Sequence, residues 1–170
     1  MLARVALWTL ALGLVAWAVW LWPAVPARVP LHFGADGTPD RWGERSLLVW
    51  LVLPALGVAL AALFDGVARW SVRNLESPML NLPGKEDVLA LPPERRAPVL
   101  RHVASMNHAA GAVCVGALAL IQLGMWASVD GEGGAGWILA GTAVAIVGPL
   151  AAVALGARRV RAEARRQQTR

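Results

Sequence analysis

Residues 47–64 read LLVWLVLPALGVALAALF, a run of eighteen residues without a charged side chain. At a rise of about 1.5 Å per residue, such a run forms a helix of about 27 Å, close to the roughly 30 Å hydrocarbon core of a bilayer. Three further uncharged runs of this kind occupy residues 5–22, 109–129 and 136–157. A charge at the bilayer centre costs at least about 2.5–3.5 kcal/mol, so these runs predict an all-α integral membrane protein with four transmembrane helices.

The composition supports the same class of protein. Hydrophobic residues make up 57% of the 170-residue chain and charged residues 16%, whereas soluble domains average about 45–50% and about 25%. The net charge of +5 equals the charge of residues 158–170, which hold six arginines and one glutamate. We therefore divide the chain into a single four-helix transmembrane domain, residues 1–157, and a basic cytoplasmic tail, residues 158–170.

The first apolar run has a second interpretation as a cleaved signal peptide. Arg4 would be its basic start and Ala24–Ala27 its cleavage site. The run is long for a signal peptide, and Trp20 and Trp22 near its end are typical of a helix that ends at a membrane interface. A retained transmembrane helix is therefore favoured.

The positions of lysine and arginine predict the orientation of the chain. Six basic residues lie between spans two and three and six follow span four, whereas the loop between spans three and four has only Asp130 and Glu132. Both termini and the middle loop are thus predicted to be cytoplasmic, and loops 23–46 and 130–135 to lie outside the cell. Fifteen arginines to one lysine are typical of a high-GC bacterial genome, so we expect a multi-pass protein of a bacterial cytoplasmic membrane.

Small residues spaced four apart predict where the helices pack, because close backbone approach drives helix association in lipid. The stripes are Gly57–Ala61, Ala112–Gly116, Gly141–Ala145 and Gly148–Ala152–Gly156.

Gln122 is a strongly polar residue deep in the third span, and we expect its side chain to form a hydrogen bond to another helix. The alternative is a substrate pathway through Gln122 and the prolines inside spans, Pro54 and Pro149, as in a small transporter subunit.

A short amphipathic helix is predicted before span three. Pro92 and Pro93 followed by Glu94 are typical of a helix start, and apolar residues recur at helical spacing within residues 94–107. We expect this helix to lie on the inner interface and lead into span three. The arginines expected to contact anionic lipid there and in the tail are Arg95, Arg96, Arg101, Arg158, Arg159 and Arg161. The tail lacks an aromatic stacking partner, so no nucleic acid is expected as a partner.

The segment between spans one and two has the features of an ordered cap. Its first three prolines, Pro23, Pro26 and Pro30, disfavour a helix, so residues 29–33 are predicted to be extended. Asp36 and Gly37 predict a turn, because glycine accepts a positive φ. We expect Phe33 and Trp42 to pack inward.

The same segment carries a family resemblance. Pro26-x-x-Val29-Pro30-x-His32-Phe33, followed by Gly37-x-Pro39-Asp40-x-Trp42, resembles the signature of the bacterial membrane family built on the domain of unknown function numbered 1648. The resemblance is strongest over residues 10–65, and this domain also forms the amino-terminal part of SdpI-like immunity and signalling proteins. Arg45 stands where the family usually has lysine, and the SdpI-specific carboxy-terminal half is not evident. The resemblance implies a polytopic membrane protein without an established catalytic activity.

The outer loop holds the candidate residues for binding a ligand or partner: His32, Phe33, Asp36, Gly37, Pro39, Asp40, Trp42 and Arg45. One histidine and two carboxylates could ligate a divalent metal, which would suit an external metal-dependent enzyme. The structural alternative is that His32 donates to a loop carbonyl, Asp36 forms an Asx turn and Asp40 pairs with an arginine.

The expected function is binding rather than catalysis. The sequence has no glycine-rich phosphate loop, nucleophile elbow or paired metal-ligand motif, so we expect no catalytic residue, cofactor or resident metal. The leading interpretation is a non-enzymatic binding, immunity or signalling component, with the bilayer and a peptide or membrane protein as partners. His102 and His108 are expected to be ordinary interface residues, and Cys114 a small packing residue.

Overall fold

The structure, a computed structural model, describes residues 1–129 and 133–169 and is mainly helical. Its elements in chain order are α1 (Leu2–Leu21), a 3₁₀ turn (Trp22–Ala24), β1 (Arg28–Phe33), β2 (Pro39–Glu44), α2 (Leu47–Arg73), α3 (Lys85–Leu89), α4 (Pro93–Ala127) and α5 (Gly134–Gln168). Helices α1, α2, α4 and α5 are long and apolar enough to cross a membrane, which confirms the four predicted spans. The chain is therefore a multi-pass membrane protein.

Helix α4 is the centre of the helical arrangement. It packs against α1, α2 and α5, whereas α5 packs mainly along α4. The four long helices alternate in direction, so the β1–β2 hairpin lies at one end of the helices, called the hairpin end. The amino terminus, residues 74–92 and the carboxyl end of α5 lie at the other, called the tail end.

Small residues let α4 and α5 approach each other, as the stripe in span four predicts. A Cβ at Gly141 would lie 3.0 Å from the backbone oxygen of Ala117, and one at Gly148 would meet the side chain of Val113. A Cβ at Gly124 would lie 2.7 Å from Ile138. The expectation fails at Gly116, where an added Cβ would have no neighbour within 4 Å.

The amphipathic segment before span three differs from its prediction. The helix does begin at Pro93, with Pro92 as its N-cap, but it continues without a break to Ala127 and forms a single helix with span three. No helix-breaking sequence separates the two parts after Pro98, and that proline removes a single backbone hydrogen bond close to the start of the helix. The segment therefore extends span three instead of lying as a separate short helix on the interface.

The basic tail is also part of the fold. Helix α5 continues to Gln168, and Val160 and Ala164 on its last turns are fully buried. They pack with residues of the middle loop, α3 and the first turns of α4, including Leu91 and Val103. The tail end is thus a small packed cluster of helices that was not predicted from the sequence.

Gln122 makes the interhelical contact expected of it. Its Nε2 donates to the backbone oxygen of Trp50 in α2 at 3.4 Å, and the side chain is fully buried. The Trp50 carbonyl is free to accept because Pro54, four residues later, has no N–H to donate to it. The indole of Trp50 in turn donates to the Ala18 carbonyl of α1 at 2.8 Å, so one residue joins three helices.

Candidate functional site

The outer segment folds into an antiparallel β hairpin. Strands β1 and β2 pair from Arg28 opposite Glu44 to Phe33 opposite Pro39. The connecting turn has Gly37 at φ +80°, a conformation that favours glycine. The extended segment and the turn predicted from the sequence are both confirmed.

The base of the hairpin is anchored on the helices. Val25 and Val29 are buried in an apolar cluster that also holds Trp50. Arg45, just after β2, donates to the Val25 carbonyl at 2.7 Å, and its guanidinium lies 4.2 Å above the ring of Trp22. Arg45 therefore fixes the base of the hairpin, a role that the ligand-binding interpretation did not include.

The tip of the hairpin is anchored as well. A Cβ at Gly37 would lie 2.7 Å from the backbone oxygen of Ala135 and 3.0 Å from Leu139, so the turn touches the first turns of α5. Pro39 and Trp42 are half-buried and border a cavity of about 280 Å³ next to Ser128 and α5. Phe33 is half-buried too, so the aromatic residues pack inward only in part.

His32 and Asp40 form the exposed polar pair of the hairpin. Nδ1 of His32 donates to Oδ1 of Asp40 across 2.6 Å, and both side chains are more than half exposed, at 56% and 52%. The predicted partners were different, a loop carbonyl for His32 and an arginine for Asp40. The pairing of β1 with β2 brings the two residues together, and this proximity depends on the register, which shifts between His32 and Phe33.

Asp36 forms the expected Asx turn. Its Oδ1 accepts the backbone N–H of Thr38 at 3.0 Å and the hydroxyl of Thr38 at 2.7 Å. The backbone bond first, and then the hydroxyl bond, lower the pKa of the Asp36 carboxyl below its ordinary value. Within residues 1–129 and 133–169, no three histidine, cysteine or acidic side chains are grouped to hold a metal ion. His32, Asp36 and Asp40 are therefore not assembled as the three-ligand site that the enzyme alternative requires.

A second polar site lies at the tail end. Asp65 in α2 is only 2% exposed, and its carboxylate accepts from Nε of Arg4 at 3.0 Å and from Nε2 of His108 at 2.9 Å. Arg69, one turn later in α2, completes the group at 3.2 Å. We call Arg4, Asp65, Arg69 and His108 the Asp65 cluster, and it joins α1, α2 and α4.

This cluster was not predicted from the sequence. Asp65 directly follows one uncharged run and was assigned no role, and His108 directly precedes another and was expected to be an ordinary interface residue. The expectation for His108 is wrong, because the residue is buried against Asp65. The position of Asp65 directly after a predicted span could have indicated the cluster, because a charge close to the membrane core needs a charged or hydrogen-bonding partner.

Two of the arginines that were predicted to contact lipid, Arg95 and Arg96, form hydrogen bonds within the protein instead. Arg96 donates to the carbonyls of Leu89, the last residue of α3, and of Leu91, at 2.8 and 2.9 Å, and Arg95 donates to the carbonyl of Gln167. These bonds satisfy carbonyls at helix ends. The other predicted contacts, Arg101, Arg158, Arg159 and Arg161, are exposed. Asp130 and Glu132, used to predict the orientation, lie outside the described residues.

The comparisons with known proteins concern the hairpin region. Residues 9–58 match the model of a family described as "Domain of unknown function (DUF1648)", and they include most of α1, the hairpin and the first half of α2. An uncharacterized protein of the archaeon Archaeoglobus fulgidus is 39% identical over 82 residues, which cover 44% of this chain and 44% of the relative. The chain thus spans less than half the length of this relative, and no solved structure matches it. The amino-terminal region of this membrane protein, with the hairpin at its centre, is therefore similar to the DUF1648 family over residues 9–58.

Proposed function

We propose that this protein binds a polypeptide partner through the β1–β2 hairpin, on the extracytoplasmic side of the membrane, and has no catalytic activity of its own. The observation that carries the proposal is the attachment of the hairpin to the helices at two points. Its base and its tip are both fixed to the helices, while its outer side chains are exposed. A rigid scaffold that presents exposed loop residues is the usual architecture of a binding site.

The chemistry of the hairpin surface suits a polypeptide. A cavity of about 780 Å³ at its base is lined by Arg28, Trp42, Glu44 and Arg45, together with Ala27 and Gly43. Tryptophan and arginine are enriched at the energetic centres of protein interfaces, and the two signs of charge can pair with a partner of mixed charge.

The hairpin backbone offers a second means of contact. Within the described residues the sheet has only two strands, so each strand has one edge without a neighbouring strand. An extended peptide can add to such an edge through main-chain hydrogen bonds, with side-chain pockets supplying specificity. The cavity beside Trp42 and Glu44 borders the end of β2 and would receive a side chain of the added strand.

The rival roles lack a comparable observation. The external enzyme needs His32, Asp36 and Asp40 as one set, but Asp36 is engaged with Thr38. The transporter subunit needs Gln122 on a polar path, but its amide donates to the backbone of α2. The arrangement of the hairpin therefore favours binding.

The proposal is tested by placing a photoreactive amino acid at position 28 or 44 in cells that express the full chain. We expect a covalent adduct of one defined mass, formed with a polypeptide. Position 79 is the matched control, because Met79 is 85% exposed but lies at the tail end. No adduct from the hairpin, or the same adduct from position 79, would refute the proposal.

A paired substitution links the adduct to the cavity. Trp42→Ala opens the cavity wall and should abolish the adduct at position 44, whereas Trp137→Ala removes an exposed tryptophan of α5 and should leave it intact. The thermal stability of both variants in detergent shows that each is folded. An adduct that persists in folded Trp42→Ala protein would contradict a role of the cavity in binding.

A further inference from the structure

The tail end contains a basic cavity that the proposed function does not use. The cavity has a volume of about 260 Å³ and lies beside the Asp65 cluster. Its lining consists of Arg4, Asp65, Ala68, Arg69, Val72, Arg73, Ala104 and His108. It therefore lies where α1, α2 and α4 meet, at the end of the helices opposite the hairpin.

The charges around this cavity do not balance. Arg4, Arg69 and Arg73 contribute three positive charges, and Asp65 is the only acidic residue of the lining. Asp65 is already engaged with three basic side chains: its Oδ1 contacts Arg4 and His108, and its Oδ2 accepts from Arg4 and forms an ion pair with Arg69. Two positive charges therefore remain to be compensated.

Guanidinium groups remain available to a ligand. Arg4 and Arg69 reach the buried carboxylate but are 53% and 54% exposed, so about half of each side chain stays accessible at the edge of the cavity. Within the described part of the chain, the side chain of Arg73 has no hydrogen-bond or ion-pair partner. Arginine pairs with phosphate oxygens through charge-assisted and often bidentate hydrogen bonds.

The cavity also has an apolar wall. Ala68, Val72 and Ala104 line it next to the arginines, and the two helices that supply them continue into apolar spans. A group that combines an anionic head with an apolar body matches such a site. Basic pockets between transmembrane helices at the cytoplasmic side are suited to the headgroups of anionic lipids.

We propose that this cavity binds the phosphate group of an anionic phospholipid. Arg73 and the free N–H groups of Arg4 and Arg69 hold the phosphate, and the apolar wall takes the first part of the glycerol and acyl region. Asp65 and His108 position Arg4 and Arg69 and do not touch the ligand. This site is independent of the hairpin and of the partner proposed for it.

The experiment measures the thermal unfolding of the full chain in detergent while lipid is added. A ligand that binds the folded state raises the unfolding temperature with its concentration. We expect phosphatidylglycerol to stabilise the protein and phosphatidylcholine with the same acyl chains to have little effect. Inorganic phosphate and glycerol 3-phosphate are the soluble probes, and they distinguish a lipid headgroup from a free phosphate as the ligand.

Three variants locate the site. Arg73→Gln should weaken phosphatidylglycerol binding about fivefold, as one arginine near a lipid surface contributes about that factor. Ala104→Phe fills the cavity without a change of charge and should also weaken binding. Arg41→Gln removes the same charge from the hairpin end and should leave binding unchanged. The unfolding temperature of each variant without lipid reports folding.

Each outcome decides the proposal. Selective binding of phosphatidylglycerol that is lost in the two cavity variants supports a lipid site. Equal protection by inorganic phosphate or glycerol 3-phosphate, with the same dependence on the variants, supports the phosphate site but overturns the lipid as its ligand. The proposal is overturned if Arg73→Gln and Arg41→Gln weaken phosphatidylglycerol binding equally. It is also overturned if phosphatidylglycerol and phosphatidylcholine raise the unfolding temperature equally.

Discussion

Asp65 shows how a single buried charge is stabilised near the end of a transmembrane helix. Its carboxylate is 2% exposed, yet three basic side chains from three helices surround it. A charge at this depth is tolerated when partners compensate it, and removal of the shared partner leaves the others unpaired.

Asp65→Asn should therefore destabilise the protein more than the loss of any one basic partner. We expect a loss of about 1.5–3 kcal/mol, since several hydrogen bonds to a charged group disappear together. Arg4→Gln should cost about 1 kcal/mol or less, because Arg4 is half exposed and Asp65 retains Arg69 and His108. Chemical unfolding in mixed micelles measures both values.

Asp87→Asn is the control for this comparison, because Asp87 is an exposed acid in α3. Its substitution should change the stability by no more than about 0.5 kcal/mol. If Asp65→Asn were as mild as Asp87→Asn, the cluster would not hold the three helices together.

The hydrogen bond between Gln122 and the Trp50 carbonyl depends on Pro54, and a double-mutant cycle tests this dependence. Gln122→Leu removes the donor but also removes a buried Oε1 that has no partner among the described residues. Pro54→Ala restores an N–H for the same carbonyl. Gln122→Leu should therefore be better tolerated with Ala at position 54, by about 0.5–1.5 kcal/mol. Additive effects in the unfolding measurements would contradict the link.

At the scale of the element, the stability of the hairpin depends on the contact between its tip and α5. Gly37→Val should destabilise the hairpin by about 1–3 kcal/mol, because φ is +80° and a Cβ would meet the backbone of Ala135. Hydrogen exchange should then increase across β1 and β2 and remain slow in the middle of α2. Gly116→Ala, where the added Cβ has no neighbour, should leave the hairpin unchanged. Unchanged exchange in Gly37→Val would mean that the tip is not anchored on α5.

The packing of α5 on α4 can be tested with two glycines of the same helix. Gly141→Val should cost about 1–3 kcal/mol, because the new side chain would meet Ile121 and the Ala117 backbone. Gly136→Val introduces the same side chain where an added Cβ has no neighbour within 4 Å, and it should be close to neutral. Thermal unfolding in detergent compares the two, and equal effects would show that the small-residue stripe does not set the distance between the helices.

At the scale of the whole molecule, the orientation in the membrane decides which site meets which compartment. The distribution of arginine predicts that the hairpin end lies outside and the tail end in the cytoplasm. A periplasmic alkaline phosphatase reporter fused after residue 35 should be active, and one fused after residue 85 or 169 should be inactive. The reverse pattern of reporter activity would mean that the predicted orientation is wrong and that the hairpin lies in the cytoplasm.

The two proposed sites also belong to this scale, because they lie at opposite ends of the same helices. The hairpin is fixed to α1, α2 and α5, and the Asp65 cluster joins α1, α2 and α4. Helices α1 and α2 thus contribute to both ends. The DUF1648 match ends at residue 58, before Asp65, so it includes the hairpin but only Thr9 and later residues of α1.

The amino-acid sequence alone determined the four spans, the turn at Gly37 and the start of α4 at Pro93, because hydropathy, glycine conformation and proline geometry act over a few neighbouring residues. Only the tertiary structure decided that His32 pairs with Asp40, that Arg45 and Arg96 bind backbone carbonyls, and that Asp65 and His108 meet. These contacts join residues 8 to 43 positions apart or lie at helix ends whose neighbours are set by packing. Hydrogen bonds and ion pairs require distances of about 3–4 Å, and the pattern along a chain does not encode which distant side chains the packed helices bring to that range.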